Sequence, residues 1–178
     1  TMVNSFSEYA HSPTIELTTC QLNQLLQEAA DLYRNNEKDI QIELRLAEAL
    51  PEIEVDSKRL RQVLNNLIKN ALEASDENTK IEIHSELIHE NDMNFIQIKI
   101  RDYGKGIADN IQQQIFEPYI TTKQKGTGLG LAIVKKIIEE HSGIVRIGNN
   151  INTAGAFITI RLPIQKSHNI KKAVNNSR

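Results

Sequence analysis

A single cysteine, Cys20, stands in the whole chain, so neither an internal disulfide framework nor a multi-cysteine metal site can form. That leans towards a reducing compartment, and Cys20 itself reads as a small buried or half-buried filler. An excess of positive charge is also lacking: 21 Lys and Arg face 23 Asp and Glu, for a formal net charge of -2. Nucleic acid is therefore disfavoured as a partner, because binding to a phosphate backbone draws on a cationic surplus. No apolar run approaches the roughly 20 residues of a membrane helix, and the N-terminal residues lack the basic-then-apolar order of a secretory signal. A soluble, cytoplasmic chain without direct membrane contact is expected. Its 178 residues, 39% hydrophobic, fit one globular domain with a short appendage.

The apolar spacing changes period along the chain. Met2, Val3, Phe6 and Tyr9 fall at helical steps before Pro13, as at the end of a longer helix. A helix is expected from Gln21 to Arg34 through Leu22, Leu25, Leu26, Ala29 and Leu32. Strict alternation of Ile40, Ile42, Leu44 and Leu46 then reads as a strand with one buried face. Asp56 or Ser57 can cap a helix to about Ser75, with Leu60, Val63, Leu64, Leu67, Ala71 and Leu72 as its buried stripe. Alternating segments from Ile81 and from Ile96 to Ile100, separated by His89-Glu90-Asn91-Asp92, predict an antiparallel hairpin. Residues 103–125 read as loop with a short helix near Ile111 to Phe116, and Gly128 to His141 as a helix stopped by Gly143. Strands Ile144 to Gly148 and Ala156 to Leu162 close the domain, with Asn149-Asn150 and Ala154-Gly155 as turn residues. The tail from Gln165 has no periodicity. An α+β two-layer sandwich with a mixed sheet and helices on one face follows, spanning about residues 15–164.

Only eight glycines occur, yet Gly104, Gly106, Gly126, Gly128 and Gly130 share one short stretch. Glycines opening a helix present unpaired N–H groups and the positive end of the helix dipole, which suits an anion such as phosphate. Two flexible surface turns explain either glycine pair equally well when taken alone. A P-loop is excluded because Leu131-Ala132 follows the last glycine in place of Lys-Ser/Thr, and a Rossmann fingerprint because Lys123-Gln124-Lys125 precedes the loop where a strand would stand. Lys123 and Lys125 are placed to counter phosphate charge if the loop closes.

Asn65, Asn66 and Asn70 sit within one helix, although Asn is a poor helix former. At about 100° per residue, Asn66, Asn70 and Glu73 share an arc of roughly 60°, nearly opposite the leucine stripe. An exposed polar face is the ordinary explanation. A neutral amide oxygen is also a suitable Mg²⁺ ligand, because that ion keeps waters and phosphate oxygens and takes few protein groups. Asp102 ends a strand just before Gly104-Lys105-Gly106. A carboxylate there can accept from an exocyclic amine such as adenine N6, which would choose ATP over GTP, or can simply form a turn.

In order, Asn66-Leu67-Ile68-Lys69-Asn70-Ala71, Asp102-Tyr103-Gly104-Lys105-Gly106-Ile107, Phe116-Glu117-Pro118-Tyr119 and Gly126-Thr127-Gly128-Leu129-Gly130-Leu131 resemble the N, G1, F and G2 boxes of sensor histidine kinases. Gly155-Ala156-Phe157 resembles the terminal glycine box, and the short Thr121-Thr122-Lys123-Gln124-Lys125 lid is most similar to nitrogen-regulatory kinases of the NtrB/NtrY type. The resemblance covers about residues 20–163 and implies the Bergerat ATP-binding fold of gyrase, Hsp90 and MutL-type ATPases. It implies Mg²⁺ held by Asn70 with help from Asn66, adenine read by Asp102 in a pocket shaped by Gly104, Gly106 and Ile107, and phosphates lined by Gly126, Thr127, Gly128, Leu129, Gly130 and Leu131. Glu73, Thr121, Thr122, Lys123 and Lys125 complete the implied nucleotide site. Asn66 stands where the hydrolysing relatives carry a water-activating Glu, so phosphoryl transfer to a protein is favoured over hydrolysis. Glu73-Ala74-Ser75 lacks the adenine-stacking aromatic common after the N box, and Tyr119 is a candidate for stacking or for core.

None of the five histidines matches the family's phosphoacceptor pattern. The resemblance therefore places the acceptor on an upstream dimerisation hairpin, of which residues 1–14 would be the end and linker, with residues 165–178 a loose tail. Implied partners are that hairpin, within a homodimer, and a response regulator whose Asp receives the phosphate in a two-component relay. A serine kinase or ATPase of the same fold, for which Glu was expected at position 66, and a degenerate non-catalytic interaction domain are the alternatives.

Overall fold

The computed structural model describes residues 14–36, 40–75, 80–121 and 126–164. The N-terminal helical spacing, the tail, and Thr122, Lys123 and Lys125 lie outside the described residues. Chain order is β1 (Thr18–Cys20), α1 (Leu22–Asn36), β2 (Gln41–Leu46), β3 (Ile53–Val55) and α2 (Ser57–Ala74). There follow β4 (Lys80–Glu90), β5 (Met93–Asp102), α3 (Asp109–Gln112), α4 (Gly130–Glu140), β6 (Ile144–Asn149) and β7 (Ala156–Pro163).

Five strands form one mixed sheet in the order β2-β4-β5-β7-β6, and β1 pairs with β3 separately. Only β2 and β4 run parallel, which the long connection through β3 and α2 permits. The β4–β5 hairpin turns on Asn91 and Asp92, whose φ values of 50° and 61° give the turn twist that matches twisted strands. The strands therefore run closer to the turn than the polar stretch indicates, through Glu90 and from Met93.

One sheet face is apolar. Ile81, Ile83, Ile96, Ile98, Ile100, Ile160 and Leu162 are buried there against α1, α2 and α4. Alternation along each strand puts the polar residues on the other face, so the expected two-layer sandwich forms. Helix α2 lies at the centre, packed on α1, α4, β4 and β5. Its buried residues are Leu60, Val63, Leu64, Leu67, Ile68 and Ala71. At about 2 kcal/mol for each large apolar side chain, their burial outweighs the propensity penalty of three asparagines, below roughly 1 kcal/mol each.

Two contacts fix where α2 begins. Asp56 is the N-cap: its Oδ1 accepts from Arg59 N at 3.1 Å and its Oδ2 from Glu16 N at 3.1 Å. The amide of Asp56 donates to His141 Nε2 at 3.0 Å, and His141 Nδ1 lies 2.7 Å from Ile137 O. Because an amide can only donate, Nε2 is the acceptor and the ring proton sits on Nδ1, donating to Ile137. This buried imidazole thus ties the end of α4 to the start of α2.

Candidate functional site

A cavity of about 730 Å³ opens between α2, the loop after β5, and the head of α4. Asn66, Asn70 and Glu73 line one wall, Asp102, Gly106 and Ile107 a second, and Thr121, Gly126, Thr127, Gly128, Gly130 and Leu131 a third. Leu67 and Ala71 line it as well. The asparagine arc therefore borders the buried stripe rather than opposing it, since Val63 and Leu67 fill the intervening angles. A helix whose polar arc adjoins its apolar arc can wall a pocket and pack a core at once.

Asp102 is 8% exposed. Its Oδ1 accepts from Gly104 N at 3.0 Å and Ala156 N at 3.1 Å, whereas Oδ2 accepts no hydrogen bond among the described residues. Burial pushes the carboxyl up, only partly opposed by those two amides. The result is a fixed acceptor without a cationic partner among the described residues, suited to a neutral N–H donor. Ile100, Ile111, Ile115, Ile120, Ile133, Ile147 and Ile158 supply much of the remaining lining, with no aromatic ring from the described residues among it. A flat apolar base fits between such aliphatic walls, and this lining went unread in the sequence. The inward positions of β5, β6 and β7 and the apolar stripe of α4 carry its signal.

At the other end, a Cβ placed on Gly130 would lie 3.9 Å from Asn66 Oδ1 and 4.0 Å from Asn70 Nδ2. Both amides therefore face the N-terminus of α4, where Leu129 offers no side-chain cap. Uncapped first-turn N–H groups and the helix dipole favour an anion there. No group of three or more His, Cys, Asp or Glu gathers among the described residues. Neutral amides beside an anion site fit an ion that arrives with phosphate and water, such as Mg²⁺, and not one held by a dedicated carboxylate cage.

Three positions differ from expectation. Leu129 is 1% exposed and packs in the core, outside the cavity lining. Gly104 does not line the cavity either: a Cβ there would stand 2.1 Å from Ala74 O, so glycine lets the loop close on the end of α2. Tyr119, at φ 68° and 61% exposed, neither lines the cavity nor joins the core. Its amide donates to Gly128 O at 3.0 Å, joining the F-box segment to the glycine loop.

Residues 55–166 match the family described as histidine kinase-, DNA gyrase B-, and HSP90-like ATPase. The chain belongs to this family. Among curated relatives, Sensor histidine kinase ZraS of Salmonella typhimurium is 36% identical over 165 residues, covering 92% of this chain and 35% of that protein. Nitrogen regulation protein NtrY of Azorhizobium caulinodans is 30% identical over 168 residues, covering 90% and 21%. The chain thus spans about a third or less of the length of these relatives. Full-length ShkA in complex with AMPPNP superposes with a TM-score of 0.80 at 28% identity, over 93% of this chain and 36% of that one. Histidine kinase ThkA in complex with the response regulator TrrA gives 0.77 at 30%, over 92% and 46%. The family match and the cavity make this an ATP-binding fold of the sensor histidine kinase type, as the ordered boxes imply. No helix among the described residues is long and apolar enough to cross a membrane.

Proposed function

We propose that the chain is the catalytic domain of a two-component sensor kinase, passing the γ-phosphate of ATP to a histidine on a dimerisation hairpin. The observation that carries this reading is the pairing, in one cavity, of an acceptor-only carboxylate with two amides that face a helix N-terminus. Asp102 Oδ2 would take the N6 amine of adenine, which guanine cannot offer. The glycine loop and the first turn of α4 would hold the phosphates, with Lys123 and Lys125 as further cations. Mg²⁺ would be held by Asn70 and Asn66 and would neutralise charge on the transferring phosphoryl group.

Asn66 cannot take a proton from water as a Glu could, so this chain's residues position the phosphate without activating a competing nucleophile. Transfer then awaits the acceptor histidine, and a response-regulator Asp would receive the phosphate next. ThkA, solved with such a regulator, supports a response regulator as partner. A homodimeric, cytoplasmic assembly is part of the same proposal.

Incubation of this chain with radiolabelled ATP, Mg²⁺ and a hairpin fragment carrying the acceptor histidine tests the proposal. Acid-labile, base-stable label on the hairpin is expected, and Asn70→Ala should abolish it. Phosphate release without transfer would instead favour the ATPase alternative.

A further inference from the structure

Two asparagines outside the cavity are bonded to the loop that carries Asp102. Asn149 Oδ1 accepts from Ile107 N at 2.8 Å, and its Nδ2 donates to Ile107 O at 2.8 Å. A side-chain amide thereby pairs with one residue's main chain as a neighbouring strand would. Asn150, 9% exposed, donates from Nδ2 to Asp102 O at 2.8 Å and to Ala154 O at 2.7 Å, and accepts at Oδ1 from Arg101 Nε at 2.9 Å. Both donors and the acceptor of that amide are used. Two adjacent residues at the end of β6 therefore grip the loop at both of its ends, Asp102 and Ile107.

Two glycines leave the room this grip needs. Gly106 has φ 75°, and a Cβ on it would lie 2.9 Å from Asn149 Oδ1. Gly155 has φ 96°, and a Cβ there would lie 2.2 Å from Asp102 O. Side chains at either position would push the two loops apart. The amide of Ala156, next to Gly155, is one of the two donors that fix Asp102 Oδ1.

We propose that Asn149 and Asn150 are positioning residues, a clamp that holds the Asp102–Ile107 loop in its base-accepting shape before nucleotide arrives. The proposal rests on the reading of the cavity as an adenine nucleotide site. Neither asparagine lines the cavity, so they act through Asp102 and Ile107. A preformed loop spares the ligand the ordering of that segment, which raises affinity without adding a contact. Asn149 is the cleaner probe: its two bonds go only to Ile107, and it is exposed, so its removal leaves no buried group unpaired.

The test compares the unaltered chain with Asn149→Ala and Asn149→Asp, reading Mg-ATP affinity and, in nucleotide-free protein, hydrogen exchange at the Ile107 amide. Asn149→Ala should weaken ATP about tenfold, the size expected for two lost neutral hydrogen bonds, and speed Ile107 exchange by about tenfold or more. Asn149→Asp keeps the acceptor for the Ile107 amide and should fall between. The thermal midpoint should move little. Unchanged affinity with unchanged exchange would overturn the clamp, and so would lost stability with unchanged affinity. If the unaltered chain binds no nucleotide, the adenine reading fails by itself. Exchange at Ile107 then decides the clamp alone: release on Asn149→Ala sustains it, and an amide unprotected from the start ends it.

Discussion

Asp102 and Glu82 are buried carboxylates in neighbouring registers of the β4–β5 ladder, where Ile81 pairs with Asp102 and Glu82 with Arg101. They point to opposite faces of the sheet and have opposite surroundings. Asp102 faces the cavity with two amides and, among the described residues, no cation and one oxygen unengaged, and burial raises its carboxyl. The Glu82 side chain, 4% exposed, lies among Lys80 at 2.9 Å, His84 at 3.5 Å, Arg45 at 3.7 Å and Arg101 at 4.0 Å. Burial alone would raise Glu82 as well, but hydrogen bonds from Lys80 and Tyr103 and the nearby charges hold it at about 2. Equal burial therefore does not mean equal purpose. A carboxylate meant for a ligand is left partly unanswered, whereas one meant for the fold is saturated.

That contrast is broken most sharply by changing one carboxylate at a time. Asp102→Asn should weaken ATP about 100-fold, because an amide in place of the charged acceptor forfeits a charge-assisted hydrogen bond of about 1.5–3 kcal/mol. Thermal stability of that variant should hold or rise, since a desolvated charge is removed; a calorimetric titration beside a melting curve checks both. Glu82→Gln should do the reverse, lowering stability by about 2 kcal/mol in urea while ATP affinity stays within about twofold. Its cationic partners are partly exposed, which keeps the loss below that of a fully buried pair.

The pH dependence follows from the same pair. The folded-state value of Glu82 lies below the unfolded value near 4.3, so its contribution is present above pH 5 and is lost as pH falls towards 2. The raised Asp102 has the opposite sign: its burial destabilises the fold increasingly as pH rises through its folded value. Urea unfolding from pH 2 to pH 6 should show a rising limb that Glu82→Gln flattens and Asp102→Asn steepens.

His141→Phe gives a smaller effect, about 1–2 kcal/mol, by leaving the Asp56 amide buried without its acceptor. Melting curves should show that loss with ATP affinity little altered, because the linkage lies at the far end of α2 from Asn70.

Much of this was legible in the sequence where a long period or an ordered set of boxes existed. Helix α2 declared itself through its leucine steps and Asp56 cap, and β5 through the alternation that ends on Asp102. Strand β3, three residues long, carries too few positions to show a period and is held by its pairing with β1. The purpose of Gly104 was hidden because the atom it avoids, Ala74 O, is distant in sequence. The resemblance to the glycine box puts Leu129 in the phosphate loop, yet only tertiary packing shows that its side chain turns inward. Asn149 and Asn150 read as turn formers for the same reason: the partners that make them a clamp, Ile107 and Asp102, lie more than forty residues away.

The central claim is that Asp102 reads adenine in a Mg²⁺-assisted site, and a calorimetric titration of the chain with ATP and GTP, with and without Mg²⁺, tests it most directly. The account predicts binding of ATP strengthened by Mg²⁺ and at least about tenfold weaker binding of GTP. Equal affinity for the two nucleotides, or none for either, would contradict it.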